Sequence, residues 1–260
     1  MTPVIVAEGL RRQFGETVAV AEVNLSVNAG SFFGFIGPNG AGKTTTIRLL
    51  TGLLTPTYGR ISVFGKTYAE EGLAIKARIG LVQDDLLLYD YLTGEEQLVF
   101  TGRIYGLPQE EARRRQEELL SVMALGDCCK KLIRTYSHGE RKKLALACAL
   151  LHNPDILFLD EPFEGLDVLS LRVVEENLRL MVGRGKTVFL SSHILSWVDR
   201  LCEEVAVINQ GKVIFSGDRV RFREVIQEAE GQERTDSDLE RAFLALIQVK
   251  DPGKELSWLQ

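Results

Sequence analysis

The stretch Gly37-Pro38-Asn39-Gly40-Ala41-Gly42-Lys43-Thr44 decides the fold of this chain. It has the spacing G-x-x-x-x-G-K-[ST], in which glycines let the backbone curl so that successive N–H groups point at a phosphate. The apolar segment Ser31–Ile36 predicts a buried strand before it, and Thr45–Leu54 predicts a helix after it. A glycine-rich turn before a core helix is the plainer alternative. The flanking strand and helix favour a nucleotide-binding loop, with Lys43 reaching the β/γ-phosphates and Thr44 offering its hydroxyl to Mg²⁺.

Two adjacent carboxylates follow a second apolar run far downstream. Ile156–Leu159 predicts a buried strand, and Asp160 and Glu161 come directly after it. This arrangement looks like a Walker B strand, which places one carboxylate near Mg²⁺ and leaves the next to orient or deprotonate the attacking water. A core strand with a solvated acidic turn is the alternative, and the phosphate loop upstream favours the catalytic interpretation.

The composition is that of a globular protein. The chain has 260 residues, of which 45% are hydrophobic and 26% charged, enough for one good core. Its net charge of -5 argues against a general nucleic-acid binder. The longest wholly apolar stretch, Leu144–Leu151, is far shorter than the roughly 18 to 20 residues that span a bilayer. The four cysteines form no C-x-x-C pair, and we expect reduced thiols: Cys128, Cys129, Cys148 and Cys202.

The rest of the pattern predicts an α/β protein with an inserted helical block. Alternating apolar residues in 1–30 predict antiparallel strands with one exposed face. Further strands are predicted at Arg60–Phe64, Ile79–Val82, Thr187–Leu190, Val205–Ile208 and Lys212–Phe215, with a polar turn at Lys66–Gly72. Helices are predicted at Gly94–Tyr105, Gln109–Ala124, Gly139–His152, Val168–Met181, Arg219–Glu230 and Ser237–Gln248.

Between the two phosphate-site elements, the stretch Tyr136-Ser137-His138-Gly139-Glu140-Arg141 resembles the Leu-Ser-Gly-Gly-Gln signature of the ATP-binding subunit of ABC transporters. Taken alone, Ser137 with Glu140 three residues later also fits an ordinary helix capping box. The order of the remaining matches strengthens the resemblance, which runs from about Val4 to Gly217. These matches are Gln83 for the Q-loop, Gly165-Leu166-Asp167 for the D-loop, His193 in Ser191-Ser192-His193 for the switch histidine, and Phe14 for the aromatic that stacks on adenine.

The resemblance implies a P-loop NTPase of the α/β class. We expect an ABC-type ATPase core with an antiparallel β subdomain and an inserted helical subdomain at about 84–153. The ATP-binding domain would span 1–217, and 218–260 would form a small helical C-terminal extension.

The resemblance also assigns roles to residues of the site, with ATP and Mg²⁺ as cofactors. Glu161 would be the general base, and His193 would hold the γ-phosphate and the attacking water in line, with Lys43 and Gln83 completing the catalytic group. Mg²⁺ would be held by Thr44, Gln83 and Asp160. ATP would contact Phe14, Gly37, Pro38, Asn39, Gly40, Ala41, Gly42, Lys43, Thr44 and Thr45, and on a second subunit Ser137 and Gly139.

The implied assembly is a head-to-tail dimer, either a homodimer or a heterodimer with another ABC ATPase subunit. It would dock on a separate integral membrane permease at the cytoplasmic face of the plasma (inner) membrane. The local sequence pattern is most similar to that of the type-2 exporter branch. No nucleic-acid partner is expected. Three residues depart from the family pattern and put contacts between subunits in question: His138, Glu140 and Glu164.

Two other functions compete with transport. A soluble ABC ATPase, for example one acting in iron-sulfur assembly, would carry the same motifs. A P-loop kinase or small-molecule synthetase would need neither the signature helix nor the switch histidine.

Overall fold

The computed structural model describes residues 2–230 and residue 243, and the strands among them form one curled sheet. The strands are β1 (Pro3–Phe14), β2 (Thr17–Asn28), β3 (Phe32–Ile36), β4 (Tyr58–Val63), β5 (Ile79–Val82), β6 (Ile156–Asp160), β7 (Thr187–Ser192), β8 (Glu204–Asn209) and β9 (Lys212–Asp218). Their order in the sheet is β4-β1-β2-β9-β8-β3-β7-β6-β5.

The helices are α1 (Lys43–Leu50), α2 (Tyr68–Ala77), α3 (Gly94–Ile104), α4 (Gln109–Val122), α5 (His138–Leu150), α6 (Val168–Gly183), α7 (Leu195–Leu201) and α8 (Arg219–Glu230). As the sequence predicts, α3 to α5 interrupt the alternation of strands and helices. No described helix is both long enough and apolar enough to cross a membrane.

The centre of the sheet is parallel. Strands β8, β3, β7, β6 and β5 pair in parallel, whereas β1 pairs antiparallel with both β2 and β4. Every residue of β3, β6 and β7 is buried, as expected for parallel strands that are covered on both faces. Because parallel strands end at the same edge, the segments that follow β3, β5, β6 and β7 meet there.

Alternate side chains of the central strands enter two separate cores. On one face Phe33, Phe158 and Phe189 pack with Ile47 of α1, and the rings of Phe33 and Phe189 stack at 5.3 Å. On the other face the sheet packs against the helical block through Phe32, Leu157, Leu98 and Leu144, among others. Full burial of one such side chain contributes about 1.5–3 kcal/mol, so packing on both faces of the sheet stabilises the edge at which these segments meet.

The predicted polar turn at Lys66–Gly72 is wrong, because α2 begins within it at Tyr68. Thr67 starts this helix, since its N–H and hydroxyl each donate to the Glu70 carboxylate at 2.8 Å. Only Ile75 of α2 is buried, so no helical spacing of apolar residues announces it. The short helix α7 was also not predicted. The predicted helix Ser237–Gln248 lies outside the described residues.

His152 makes the stability of the fold depend on pH. Its ring stacks on Tyr105 at 3.6 Å, its Nε2 donates to the Ile79 carbonyl at 2.9 Å, and its buried Nδ1 has no hydrogen-bond partner in the part of the chain that the structure describes. Burial lowers the pKa of His152 from 6.5 to about 4. The native state keeps the ring neutral while the unfolded chain takes up a proton. The stabilisation is therefore complete above pH 6.5 and is lost as the pH falls towards 4.

We expect this residue to account for about 2 kcal/mol of the stability lost between about pH 7.5 and about pH 5. Urea unfolding at both pH values checks it. His152→Asn, whose amide can still donate to Ile79 but does not titrate, should reduce that loss by about 2 kcal/mol. Equal pH dependence in the two proteins would contradict the assignment.

Candidate functional site

The phosphate loop follows β3 and is fixed by two close backbone approaches. At Gly37 a Cβ atom would lie 2.3 Å from the Ile208 carbonyl oxygen. At Gly42 φ is +106°, and a Cβ would lie 2.6 Å from the Ala19 carbonyl oxygen. Only glycine fits both positions, so the spacing read from the sequence corresponds to a loop held between β2 and β8.

A cavity of about 210 Å³ lies over this loop at the start of α1. The residues that line it are Ala19, Asn39, Gly40, Gly42, Lys43, Thr44, Thr45, Asp84 and Glu161. It therefore unites loop residues with Glu161 from the distant end of β6. Backbone N–H groups at a helix N-terminus favour an anion in such a position.

Lys43 lies at the floor of the site and is nearly buried, with 7% of its side chain exposed. Its Nζ donates to the carbonyl oxygens of Gly37 at 2.8 Å and Pro38 at 3.3 Å. The same atom lies 3.5 Å from Oε1 of Glu161. The lysine is thus held in place by its own loop, next to the carboxylate expected to act as base.

Asp160 ends β6 and has one carboxylate oxygen without a partner. The residue is 1% exposed, and its Oδ1 accepts a hydrogen bond from the hydroxyl of Ser191 on β7. Its Oδ2 is buried and has no hydrogen-bond partner among the described residues. Burying a carboxylate oxygen without a hydrogen bond costs free energy, so this atom is suited to bind a cation.

Glu161 joins the two sides of the site. Its backbone is left-handed, with φ +47°, and its N–H donates to the Ser191 carbonyl at 3.2 Å. Nδ1 of His193, which follows β7, lies 3.0 Å from Oε1 of Glu161. The structure therefore brings Lys43 and His193 within 3.5 Å of Oε1 of Glu161, and the roles that the resemblance assigns to these three residues stay predictions.

Gln83 lies at the end of β5 but does not line the cavity. It is 9% exposed, and its Oε1 accepts a hydrogen bond from Nε of Arg48 on α1 at 3.0 Å. The next residue, Asp84, lines the cavity instead. Asp84 belongs to none of the motifs in the sequence, and its place directly after Gln83 is the signal that could have indicated it.

Phe14 also lies outside the cavity lining, at the end of β1. Its ring is 44% exposed, and the guanidinium carbon of Arg12 lies 4.5 Å from the ring centroid. An exposed aromatic face is free to stack on a base, and this role remains a prediction.

Ser137 and Gly139 lie at the start of α5, and neither lines the cavity of their own chain. Ser137 caps the helix, accepting from the Glu140 N–H at 3.3 Å. Its own N–H and hydroxyl donate to the Glu140 carboxylate, each at 2.7 Å. These bonds, the backbone one first, lower the pKa of Glu140. The Glu140 departure therefore completes a capping box, whose carboxylate turns back onto the helix end.

The other two departures lie at the same surface. His138 is exposed, and its ring occupies the place that a Cβ on Gly165 would need, 2.5 Å from Cδ2. Glu164, next to Gly165, is also exposed. The signature segment thus packs directly against the D-loop of the same chain, and the His138 ring fits there because Gly165 has no Cβ.

Comparison with known proteins gives the family. The model of the ABC transporter family matches residues 20–164. The chain is 34% identical over 241 residues to the linearmycin resistance ATP-binding protein LnrL of Bacillus subtilis, covering 93% of this chain and 78% of that protein. It is 41% identical over 216 residues to the daunorubicin/doxorubicin resistance ATP-binding protein DrrA of Streptomyces peucetius, covering 83% and 66%.

Solved structures with a similar fold point to the same family. A structure of the ATP binding subunit of an ABC transporter has a TM-score of 0.83 at 28% identity, covering 94% of this chain and 99% of that one. A dimeric ATP-binding cassette in a post-hydrolysis state, bound to ADP and phosphate, has a TM-score of 0.76 at 25% identity, covering 83% and 98%. The predicted fold class, a P-loop NTPase with an ABC-type ATPase core, is confirmed. On the motifs, the geometry and these similarities, the chain belongs to the ABC transporter family.

Proposed function

We propose that this chain is the ATP-hydrolysing subunit of an ABC transporter, which binds Mg-ATP and powers export through a separate permease. The observation that carries the proposal is the meeting of Lys43, Glu161 and His193 beside a cavity lined by the phosphate loop. This set combines a cation for the phosphates, a carboxylate for the attacking water and a histidine to orient them.

Within the subunit, ATP is held first by the backbone of the loop from Gly37 to Thr45. Lys43 leaves its carbonyl partners for the β/γ oxygens of the phosphates, where its charge is worth more. Glu161 accepts the proton of the attacking water, and His193 beside it holds that water and the γ-phosphate in line. Phe14 stacks on the adenine.

Mg²⁺ fits the residues that are present. Oδ2 of Asp160, which has no hydrogen-bond partner among the described residues, offers a hard oxygen ligand, and Thr44 lines the cavity over the phosphate loop. Mg²⁺ keeps several waters and binds substrate phosphates, so two protein oxygens suffice. Bound there, the ion would neutralise charge on the phosphates. Gln83 would join this set by exchanging its bond with Arg48.

The second half of the site comes from another subunit in a head-to-tail dimer. Ser137 and Gly139 stand at a helix N-terminus that does not line its own cavity, where Ser137 is exposed and Gly139 is half-buried. A helix N-terminus presents donors and a positive dipole end to the γ-phosphate. Val168 and Leu169, exposed just after the D-loop, offer apolar area for the same contact. The partner is a second copy of this chain or another ABC ATPase subunit.

A membrane permease is the second partner. The segment after β5 and the adjoining α3 expose large apolar side chains in one region, with Tyr89 and Phe100 in edge-to-face contact at 5.2 Å. Those exposed are Leu87, Tyr89, Tyr91, Phe100 and Ile104. Exposed apolar patches mark interaction sites. Relatives whose names specify drug resistance or export support an exporter and a place at the cytoplasmic face of the plasma (inner) membrane.

A membrane extraction experiment tests the proposal. The tagged full chain is purified gently from native membranes, and stoichiometric partners are identified by mass spectrometry beside an assay of Mg²⁺-dependent ATP hydrolysis. We expect hydrolysis and one polytopic membrane protein. A hydrolytically active protein with only soluble partners would favour the soluble ABC ATPase, and an inactive one would contradict the ATPase assignment.

A further inference from the structure

Lys142, on the helix that begins at the signature segment, is a fully buried cation. Its side chain is 0% exposed, and no described residue accepts a hydrogen bond from its Nζ. Burying an ammonium group is costly unless nearby negative charge compensates it. The surroundings of Lys142 therefore have to supply that charge.

The compensating charge comes from carboxylates at the catalytic edge. The nearest is Asp84, whose Oδ1 lies 4.0 Å from Nζ of Lys142. Burial lowers the pKa of Lys142, and the carboxylates oppose that shift, Asp84 most and then Glu164, Asp160 and Glu161. Lys142 thus lies within 4.0 Å of the residue that follows Gln83, and its charge is opposite in sign to the carboxylates of this part of the site.

Asp84 also faces the cavity over the phosphate loop. Together with Glu161 it is one of two carboxylates in the lining. A carboxylate beside a polyphosphate repels it unless a cation offsets the charge. Glu161 has Nζ of Lys43 at 3.5 Å for that purpose, whereas Asp84, whose side chain is 61% exposed, has Nζ of Lys142 at 4.0 Å.

We propose that Lys142 is a positioning residue of the ATP site, which draws Asp84 back from the phosphates and offsets its charge. The inference rests on the proposed function. It connects the signature segment to the cavity of its own subunit, which the family motifs do not do. The connection arises because Ser137 caps the helix that carries Lys142. The helix expected to meet the second subunit's ATP is thereby joined to its own subunit's cavity.

A double-mutant cycle on the full chain tests this role. Wild type, Lys142→Met, Asp84→Asn and the double variant are titrated with a fluorescent ATP analogue in the presence of Mg²⁺, and thermal unfolding is followed in parallel. We expect Lys142→Met to weaken nucleotide binding about tenfold, but less than about twofold when Asp84 is already asparagine. Lys143→Met, one residue along the same helix, is the matched control and should change affinity less than about twofold.

Two single variants keep the test decisive if the methionine variant folds poorly. Lys142→Arg keeps the charge and should retain affinity, and Asp84→Asn alone should tighten binding about threefold because Lys142 is then unopposed. An equal loss of affinity from Lys142→Met in both backgrounds would mean that Lys142 only packs, which would overturn the inference. It would also be overturned if Lys142→Met caused no loss of affinity, or if Asp84→Asn weakened ATP binding. A wild-type protein that binds no Mg-ATP would instead contradict the proposed function.

Discussion

Replacing Glu161 with glutamine is expected to lower ATP hydrolysis at least about 100-fold while the protein still binds ATP. Glutamine keeps the size of the side chain but cannot accept the proton of the attacking water. The phosphate loop, Lys43 and Asp160 are unchanged in this variant, so the nucleotide stays bound. Because the γ-phosphate then persists between the subunits, a dimer should accumulate in Mg-ATP. Phosphate release and size-exclusion chromatography measure the two effects.

The matched control for this variant is Glu176→Gln, the same chemical change on the exposed face of α6. It should hydrolyse ATP at the wild-type rate. If Glu161→Gln retained hydrolysis within about threefold of wild type, Glu161 would lose its role as general base.

Replacing Lys43 with methionine is expected to weaken ATP binding roughly 30- to 100-fold. The side chain keeps its length, but the charged donors that reach the phosphates are gone, and each such bond is worth about 1.5–3 kcal/mol. The carboxylate of Glu161, now without the cation at 3.5 Å, adds repulsion. Equilibrium titration with ATP in Mg²⁺ gives the dissociation constant.

The matched control is Lys76→Met, at an exposed position on α2, which removes the same charge away from the phosphate loop. It should leave the dissociation constant for ATP unchanged. Thermal unfolding of both variants separates binding from stability, because Lys43 also bonds the loop carbonyls of Gly37 and Pro38. If the dissociation constant of Lys43→Met for ATP stayed within about threefold of wild type, Lys43 would not contact the phosphates.

The parts of the fold that could be predicted from the sequence are those with strong local patterns. The phosphate loop was placed correctly because its glycines and lysine lie between a wholly apolar strand and a helix. The end of β6 was placed for a similar reason, since four apolar residues lead into two carboxylates. In contrast, α2 was missed because a local capping box starts it and only Ile75 is buried.

The contacts within the site needed the structure. That Gln83 bonds Arg48, or that Ser191 bonds Asp160, depends on which strands are neighbours, and the sequence does not state this. The left-handed backbone of Glu161 is imposed by the tertiary structure, not by its residue type. Lys142 is the clearest case, because lysine is rarely fully buried and its place among Asp84 and the other carboxylates arises only on folding.

The complete burial of β3, β6 and β7 has a consequence for how the protein responds to heat. Amide hydrogens in such strands exchange with solvent only when the whole unit opens, unlike those of frayed loops. Asp160 ends β6, His193 directly follows β7, and Lys43 begins the helix that follows β3 and the phosphate loop. The catalytic edge therefore does not melt separately, and thermal inactivation of this ATPase should coincide with global unfolding.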